Sequence, residues 1–194
     1  MELEVTSPAP AASPWLTMWF SPRRTIRRIV DAEVQLSWWP VMALAALGQA
    51  AGDLVFDGES ISLSASMMPV AIGVMQIAFS VVVGPFLLAF AGGWLGGDAD
   101  PADIRQAIAW AYVPFAVASA GWIPVLIASG SSPLDYTSPR HWFVLPFLLA
   151  IVVGACWTLV AHALTLAEVQ RFSIWRAIGS ILIVASPMLL LIAL

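Results

Sequence analysis

WFVLPFLLAIVVGACWTLVAHALTL, at residues 142–166, contains no Asp, Glu, Lys or Arg. As a helix rising 1.5 Å per residue, it is long enough to cross a bilayer core of about 30 Å. Four more apolar stretches, each with the roughly 20 residues that such a crossing needs, occupy residues 36–55, 67–90, 107–128 and 175–194. The sequence therefore predicts an all-α integral membrane bundle of five transmembrane helices.

The composition of the chain agrees with lipid as the main surroundings of the folded protein. Hydrophobic residues make up 60% of its 194 residues and charged residues 10%, with a mean hydropathy of +0.89. A soluble domain has about a quarter of its residues charged, and a short one leaves much of its surface in water. The net charge of −4 does not favour nucleic acid as a partner, and no polar stretch is long enough to form a second domain.

The residues before the first apolar stretch divide into two parts. Residues 1–14 are small, polar and rich in proline, which predicts a disordered tail, and their acidic start does not resemble a signal peptide. Residues 15–35 predict an amphipathic helix in the membrane interface, with Ser21 as its N-cap and Pro22 in its first turn. Its apolar side carries Ile26, Ile29, Val30 and Val34, and its other side carries Arg23, Arg24, Arg27 and Arg28. A solvated helix whose arginines only fix the topology is the alternative.

The distribution of arginine predicts the orientation of the bundle. Seven arginines fall on the side of the N-terminus, including Arg105, Arg171 and Arg176, and only Arg140 falls on the opposite side. Cytoplasmic loops of membrane proteins are enriched in Arg and Lys, so we expect a cytoplasmic N-terminus and, after five crossings, an external C-terminus. The absence of Lys and Asn, whose codons are rich in A, indicates a GC-rich bacterial genome. The predicted location is therefore the bacterial cytoplasmic membrane, with a periplasmic C-terminus.

Four polar side chains fall within the predicted spans or at their ends. Gln49 and Asp53 lie four residues apart in the first span, Gln76 lies in the second, and His162 lies near the inner end of the fourth. Polar residues at membrane depth are expensive and commonly functional. We expect Gln49, Asp53 and Gln76 to meet, because antiparallel neighbouring helices place their outer halves side by side. Hydrogen bonding between helices without a further function is the alternative.

Prolines and glycines mark irregular positions in the spans. Pro85, Pro114 and Pro187 lie far enough inside their helices to kink them or to leave a carbonyl group without its helical donor. A kinked bundle can line a path or cleft, although proline is also common in membrane helices for structural reasons alone. Gly48 and Gly52 form a GxxxG pair, which permits the close approach of another helix.

The sequence contains no motif of an enzyme, and none of a metal or cofactor site. The two histidines lie at opposite ends of one span, and Cys156, within an apolar run, is expected to be buried and inert. The acidic turn at residues 98–103 superficially suggests a cation site. However, Asp100 directly before Pro101 is the pattern of a helix N-cap followed by the first helical residue. We therefore expect no catalytic residue, metal or cofactor.

Short segments spread along the chain carry a resemblance to a known family. They are FSPRRTIRRI at 20–29, GGWLGG at 92–97, RQA at 105–107, YVP at 112–114 and LAEVQRFS at 166–173. From Trp15 onward the chain resembles the Yip domain family of five-span membrane proteins, in its bacterial branch. The resemblance implies a cytosolic N-terminus and a C-terminus on the far side. It links eukaryotic relatives to Rab-type GTPases and vesicle traffic, a role that does not carry over to a bacterium.

These observations predict a non-enzymatic polytopic protein that binds membrane lipids or partner proteins at the cytoplasmic face of the membrane. Arg23, Arg24, Arg27 and Arg28 would engage anionic headgroups. The two inner loops would form the docking surface, which includes Arg105, Glu168, Arg171 and Arg176. The alternative is a small transporter or channel, assembled as a homo-oligomer, whose route is lined by Gln49, Asp53, Gln76 and His162.

Overall fold

The structure, a computed structural model, describes residues 12–32, 37–57, 63–129 and 144–193, and all regular structure in them is helical. Residues 1–11, Val34 and Arg140, on which some of the sequence predictions fall, lie outside the described residues. The first helices are α1 (Pro14–Phe20), α2 (Pro22–Asp31), α3 (Trp39–Asp57) and α4 (Leu63–Ala78). A π-helix (Phe79–Val83) joins α4 to α5 (Gly84–Trp94). The remaining helices are α6 (Pro101–Ala111), α7 (Val113–Ala120), α8 (Trp122–Ser129), α9 (Val144–Val169) and α10 (Ile174–Ala193).

Three helical stretches are long and apolar enough to cross a membrane, namely Val70–Trp94, Pro101–Ile127 and Val144–Val169. Trp39–Val55 and Ile174–Ser186 are shorter apolar helices. These five stretches follow the order of the five predicted spans. The helical class is therefore confirmed for the described residues, together with three helices of spanning length, while the count of five crossings stays a prediction.

The outer surface of the long helices is apolar. Met75 is 71% exposed, and Phe86 and Val153 are more than half exposed. Large contiguous apolar patches are rare on soluble monomers, so this surface suits contact with lipid. Cys156 is exposed on the same side of α9 as Val153 and Val160. The prediction that its thiol is buried is therefore wrong, because α9 turns this face away from the other helices.

Pro85, two residues after the π-helix, explains the irregular backbone at this point. Pro85 has no N–H group, so the carbonyl group of Val81 lacks the donor that an α-helix would supply from residue 85. Arg105 Nε, on α6, donates to Val81 O at 2.7 Å. The predicted freeing of a carbonyl by Pro85 is confirmed, and α6 provides the missing donor.

The other two inner prolines have different effects on their helices. Pro114 lies next to the break at Tyr112, which divides one apolar stretch into α6 and α7. Pro187 lies inside a continuous α10, and the carbonyl that it leaves free is that of Ile183. Ser186 Oγ donates to this carbonyl at 2.9 Å. A hydroxyl one residue before a proline can therefore supply the hydrogen bond that the proline cannot donate.

The helix α3 packs on α4, α7 and α8, while α9 packs on α6, α7 and α10. A Cβ atom at Gly48 would lie 2.5 Å from the carbonyl carbon of Ser119 in α7, too close for any real contact. A Cβ atom at Gly52 would lie 3.0 Å from the indole ring of Trp122 in α8. The GxxxG pair therefore serves close packing inside the chain.

The predicted amphipathic helix is divided at Ser21 into α1 and α2. Ile26 and Ile29 of α2 are buried against residues of α3, α6 and α7. The apolar side of α2 thus packs on the protein, which differs from the expected contact with lipid. In contrast, α1 leaves Leu16 and Phe20 exposed, by 67% and 87%. Its exposed apolar side chains are thus the ones available to a membrane interface.

Candidate functional site

Three segments meet at one end of the bundle, which we call the arginine-rich end: α2, the loop at residues 95–100 and the turn at residues 170–173. Gln170, in the turn, is 1% exposed. Its Nε2 donates to Leu88 O at 3.2 Å, and its Oε1 accepts from Ala99 N at 3.4 Å. A buried amide bonded at both ends fixes α5 and the loop to the turn. Gln170 gave no signal in the sequence, because a glutamine close to charged residues is typical of a solvated loop position.

The glycine-rich loop surrounds the side chain of Gln170. A Cβ atom at Gly92 would lie 2.7 Å from Gln170 Cδ, and one at Gly97 would lie 2.8 Å from it. Gly96 turns the chain with a φ of +84°, in the region that favours glycine. The segments GGWLGG and LAEVQRFS, which carried the resemblance separately, are thus the two sides of one contact.

The acidic turn after this loop caps a helix. Asp100 Oδ1 accepts a hydrogen bond from Ala102 N at 2.7 Å, with Pro101 as the first residue of α6 and Asp103 in its first turn. The predicted N-cap is confirmed. Among the described residues, no group of three or more His, Cys, Asp or Glu side chains could hold a metal ion.

A cleft of about 420 Å³ opens at the arginine-rich end, and we call it the acidic cleft. Its charged lining residues are Arg27, Asp31, Asp98, Asp103, Glu168 and Arg171. Arg27 Nη2 forms an ion pair with Glu168 Oε1, which joins α2 to the end of α9. Because Arg27 neutralises Glu168, the other three acidic residues of the lining outnumber its remaining cation, Arg171. The cleft therefore favours a positively charged group.

The first arginines of α2 lie on the open surface. Arg23 and Arg24 are exposed directly after α1, close in sequence to the exposed Phe20. Arg28 is exposed as well, and its Nη2 donates to Thr17 Oγ1 at 3.2 Å, which ties α2 to α1. Arg23, Arg24 and Arg28 thus take no part in the ion pair between Arg27 and Glu168.

The arginines of the two inner loops take separate places. Arg171 and Arg176 are exposed around the turn between α9 and α10. Arg105 is half-buried, and its Nε is bonded to Val81 O within the bundle. The structure therefore gives Arg105 an internal contact, and it brings Arg27, Glu168 and Arg171 together at the acidic cleft.

A second concavity lies within the bundle, and we call it the intramembrane cavity. It has a volume of about 250 Å³ and lies between α3, α4, α7 and α9. Gln49 Nε2 donates to Gln76 Oε1 on its wall at 3.2 Å. Ser80, Tyr112 and Thr158 add hydroxyl groups, and the other lining residues are glycine or apolar. The cavity offers hydrogen-bond donors and acceptors without a formal charge.

Asp53 and His162 do not line this cavity. Asp53 is half-buried one turn further along α3 than Gln49. His162 meets the ring of Tyr112 edge to face, with ring centroids 5.1 Å apart and planes at 89°. Of the four predicted polar residues, two form a direct pair, and His162 contacts a residue of the lining. Of these four residues, Gln49 and Gln76 therefore line the cavity together, and the transporter alternative stays a prediction.

Long apolar helices, an apolar outer surface and arginines gathered at one end define a polytopic α-helical membrane protein. The family model described as the Yip1 domain matches residues 16–194. The chain therefore belongs to the Yip1 domain family of integral membrane proteins, and the resemblance found in the sequence is confirmed. No curated protein and no solved structure matches the chain.

Proposed function

We propose that this Yip1-domain protein is a non-enzymatic protein that binds anionic lipid headgroups at its arginine-rich end. In this proposal it crosses the bacterial cytoplasmic membrane five times, with a cytoplasmic N-terminus and a periplasmic C-terminus. The grouping of α2 with Arg171 and Arg176 at one end supports this orientation. The observation that carries lipid binding is the exposed pair Arg23 and Arg24, which directly follows exposed apolar side chains of α1.

The arrangement suits the boundary between headgroups and acyl chains. Leu16 and Phe20 present apolar surface from α1, and the following guanidinium groups lie at headgroup level when these side chains enter the bilayer. A basic residue near an anionic surface contributes about 1 kcal/mol. Arg23 and Arg24 are expected to contribute most, and Arg27 least, because Glu168 already neutralises its charge.

Native mass spectrometry of the purified full-length protein tests this proposal. The protein is incubated with equal amounts of phosphatidylglycerol and phosphatidylcholine in mild detergent, and bound lipids are counted. We expect Arg23→Gln/Arg24→Gln to lower phosphatidylglycerol binding by about thirtyfold, since two interactions of about 1 kcal/mol are lost. Arg140→Gln, on the predicted opposite side, is the control for charge. A double variant that retains phosphatidylglycerol as wild type does would contradict the proposal.

The orientation has its own test in cells. In a Cys156→Ala background, single cysteines are introduced at Glu4 in the N-terminal tail and at Asp135 between the third and fourth predicted spans. A membrane-impermeant maleimide added to intact spheroplasts should label Asp135→Cys, and it should label Glu4→Cys only after lysis. The reverse pattern would overturn the proposed topology, and labelling of both before lysis would show that the two sites share the outer side.

A protein partner is the second ligand that the arginine-rich end supports, and the acidic cleft is the observation that favours it. We propose that a basic side chain of the partner enters between Asp31 and Asp98. A photo-crosslinking amino acid at Ala99 should capture the partner in cells, and Asp31→Asn/Asp98→Asn should abolish the adduct. The same amino acid at the lipid-facing Cys156 is the control. An adduct at Ala99 that survives the double substitution would exclude the acidic cleft as the binding site.

A further inference from the structure

We propose that the intramembrane cavity binds the hydroxyl end of an uncharged lipid alcohol, such as a diacylglycerol. This site lies apart from the arginine-rich end. Its ligand also differs chemically from the anionic headgroups proposed for that end, so either proposal can fail without the other.

The pair of glutamines defines the polar group of the ligand. Each carboxamide has one oxygen acceptor and one NH₂ donor. The bond from Gln49 Nε2 to Gln76 Oε1 leaves the acceptor Gln49 Oε1 and the donor Gln76 Nε2 for a further hydrogen-bonding group. If both amides are exchanged end for end, one acceptor and one donor still remain. A hydroxyl group, which donates one hydrogen bond and accepts others, complements this arrangement.

The remaining lining excludes a charged ligand. Ser80, Tyr112 and Thr158 add neutral hydroxyl groups, and no Arg, Lys, Asp or Glu among the described residues contributes to the wall. Gln49 follows the first residue of α3, Trp39, by ten residues (49 − 39). It therefore lies about 15 Å along the helix, which is about half of a bilayer core. At that depth an ionised headgroup without a countercharge is strongly disfavoured, whereas the hydroxyl of an uncharged lipid is far less costly.

The cavity opens sideways towards the membrane. Gln76 of α4 is exposed although it lines the cavity, and Leu159 of α9 lines it and is 67% exposed. Both residues therefore connect the cavity wall with the apolar outer surface of the bundle. The acyl chains of a lipid can thus stay among the bilayer lipids while its hydroxyl reaches the glutamines. A water-soluble ligand would meet the apolar surface first.

Photolabelling of the full-length protein in phosphatidylcholine nanodiscs tests the site. The probe is a diacylglycerol with a diazirine near the ester of one acyl chain, and labelled peptides are mapped by mass spectrometry. We expect label on α4 and α9 near Gln76 and Leu159, displaced by excess dioleoylglycerol. Gln49→Leu/Gln76→Leu should lower this displaceable label about fivefold. Met75→Leu, which changes an exposed residue of α4 outside the lining, should leave it unchanged.

A second experiment uses the wild-type protein and compares different lipids as competitors of the photolabel. Dioleoylglycerol methyl ether keeps the acyl chains but lacks the hydroxyl donor, and it should compete about fivefold more weakly than dioleoylglycerol. Farnesol, added in parallel, distinguishes a glycerolipid from a prenol as the source of the hydroxyl. Competition by either alcohol supports the proposal. Equal competition by alcohol and ether would overturn it, as would the failure of both alcohols or wild-type labelling of the glutamine double variant.

Gly73→Leu provides an independent variant that leaves both glutamines in place. A Cβ atom at Gly73 would lie 3.7 Å from Ala46 Cβ, an ordinary contact, so the larger side chain extends into the cavity. Gly73→Ala is the matched control and adds only that Cβ. We expect Gly73→Leu to abolish the displaceable label and Gly73→Ala to retain it. Undiminished labelling of a folded Gly73→Leu variant would place the lipid elsewhere.

Discussion

Arg105 Nε donates a hydrogen bond to the backbone carbonyl of Val81 at 2.7 Å, and thereby replaces the N–H group that Pro85 lacks. Hydrogen bonds from charged donors are about twice as strong as neutral ones, and an unsatisfied carbonyl in lipid costs several kcal/mol. The arginine that the sequence counted as a topology signal therefore also stabilises the span before it. The long side chain of Arg105 lets α6 supply a hydrogen bond to a free carbonyl group in the middle of the preceding helical stretch.

Replacing Arg105 by methionine is expected to lower the free energy of unfolding by about 2 kcal/mol, the contribution typical of a hydrogen bond to a charged group. In a Pro85→Ala background, the new N–H group can bond to Val81 O within the helix. The same replacement of Arg105 should then cost about half as much or less. Unfolding by sodium dodecyl sulfate in mixed micelles gives the four free energies of this cycle.

Arg176→Met is the control for that cycle, because Arg176 is an exposed arginine of the same end. It should change the free energy of unfolding by less than about 0.5 kcal/mol. If Arg105→Met costs the same in the wild-type and Pro85→Ala backgrounds, the carbonyl of Val81 does not explain the contribution of Arg105.

A pair of neighbouring glycines tests the contact around Gln170. Gly92→Ala should destabilise the protein by about 2 kcal/mol, because its Cβ atom would overlap the buried amide. Gly93 is the adjacent residue of α5 and has no atom within 4 Å of its Cβ position. Gly93→Ala should therefore be neutral or slightly stabilising. The measurement is the thermal midpoint of the purified protein in detergent.

The double variant Gly92→Ala/Gln170→Ala separates overlap from backbone effects. Relative to Gln170→Ala alone, the added methyl group at residue 92 should cost less than about 0.5 kcal/mol, since the amide that it would strike is gone. An undiminished cost would show that Gly92 is required for another reason than Gln170.

The GxxxG pair of α3 gives a prediction about assembly. Gly48→Ala should destabilise the fold by about 2 kcal/mol or more, because the α7 backbone cannot yield as a flexible side chain would. Gly73→Ala introduces only ordinary contacts and is the control. Since Gly48 is used within the chain, the oligomeric mass measured by light scattering should not change in either variant that folds. A shift to a smaller species in Gly48→Ala alone would reassign this face to an interface between copies.

Much of the fold was predictable because its signals are local. Apolar runs of spanning length predict the helices, Asp100 before Pro101 predicts a cap, and Pro85 predicts a carbonyl without its helical donor. The groups that satisfy these signals come from elsewhere in the chain. Arg105 lies 24 residues from Val81, and Gln170 lies 82 residues from Leu88. No short sequence pattern links such residues. The sequence therefore predicted that a backbone group lacks its hydrogen-bond partner, but it did not identify the residue that supplies one.

In the candidate sites, too, local patterns were predictable from the sequence, whereas most contacts between distant residues were not. Gln49 and Gln76 were expected to meet, since they lie on consecutive antiparallel spans. The hydroxyl groups around them gave no signal, because Ser and Thr can bond to their own helix anywhere in a span. The amphipathic pattern of α2 showed an apolar side without showing what covers it. The structure buries Ile26 in protein, and it leaves the exposed apolar side chains to α1.

Thr158 gives a final prediction, about the break between α6 and α7. Its Oγ1 accepts from Phe115 N at 3.1 Å, an amide in the first turn of α7, where N–H groups have no carbonyl partner within their own helix. Thr158→Val keeps the shape of the side chain and should cost about 1 kcal/mol, whereas Thr158→Ser keeps the hydroxyl and should cost less. Hydrogen exchange followed by mass spectrometry supplies the site-specific readout: the amide of Phe115 should exchange faster in the valine variant only. Equal protection of that amide in both variants would mean that Thr158 does not hold it, and that the break is stabilised by packing alone.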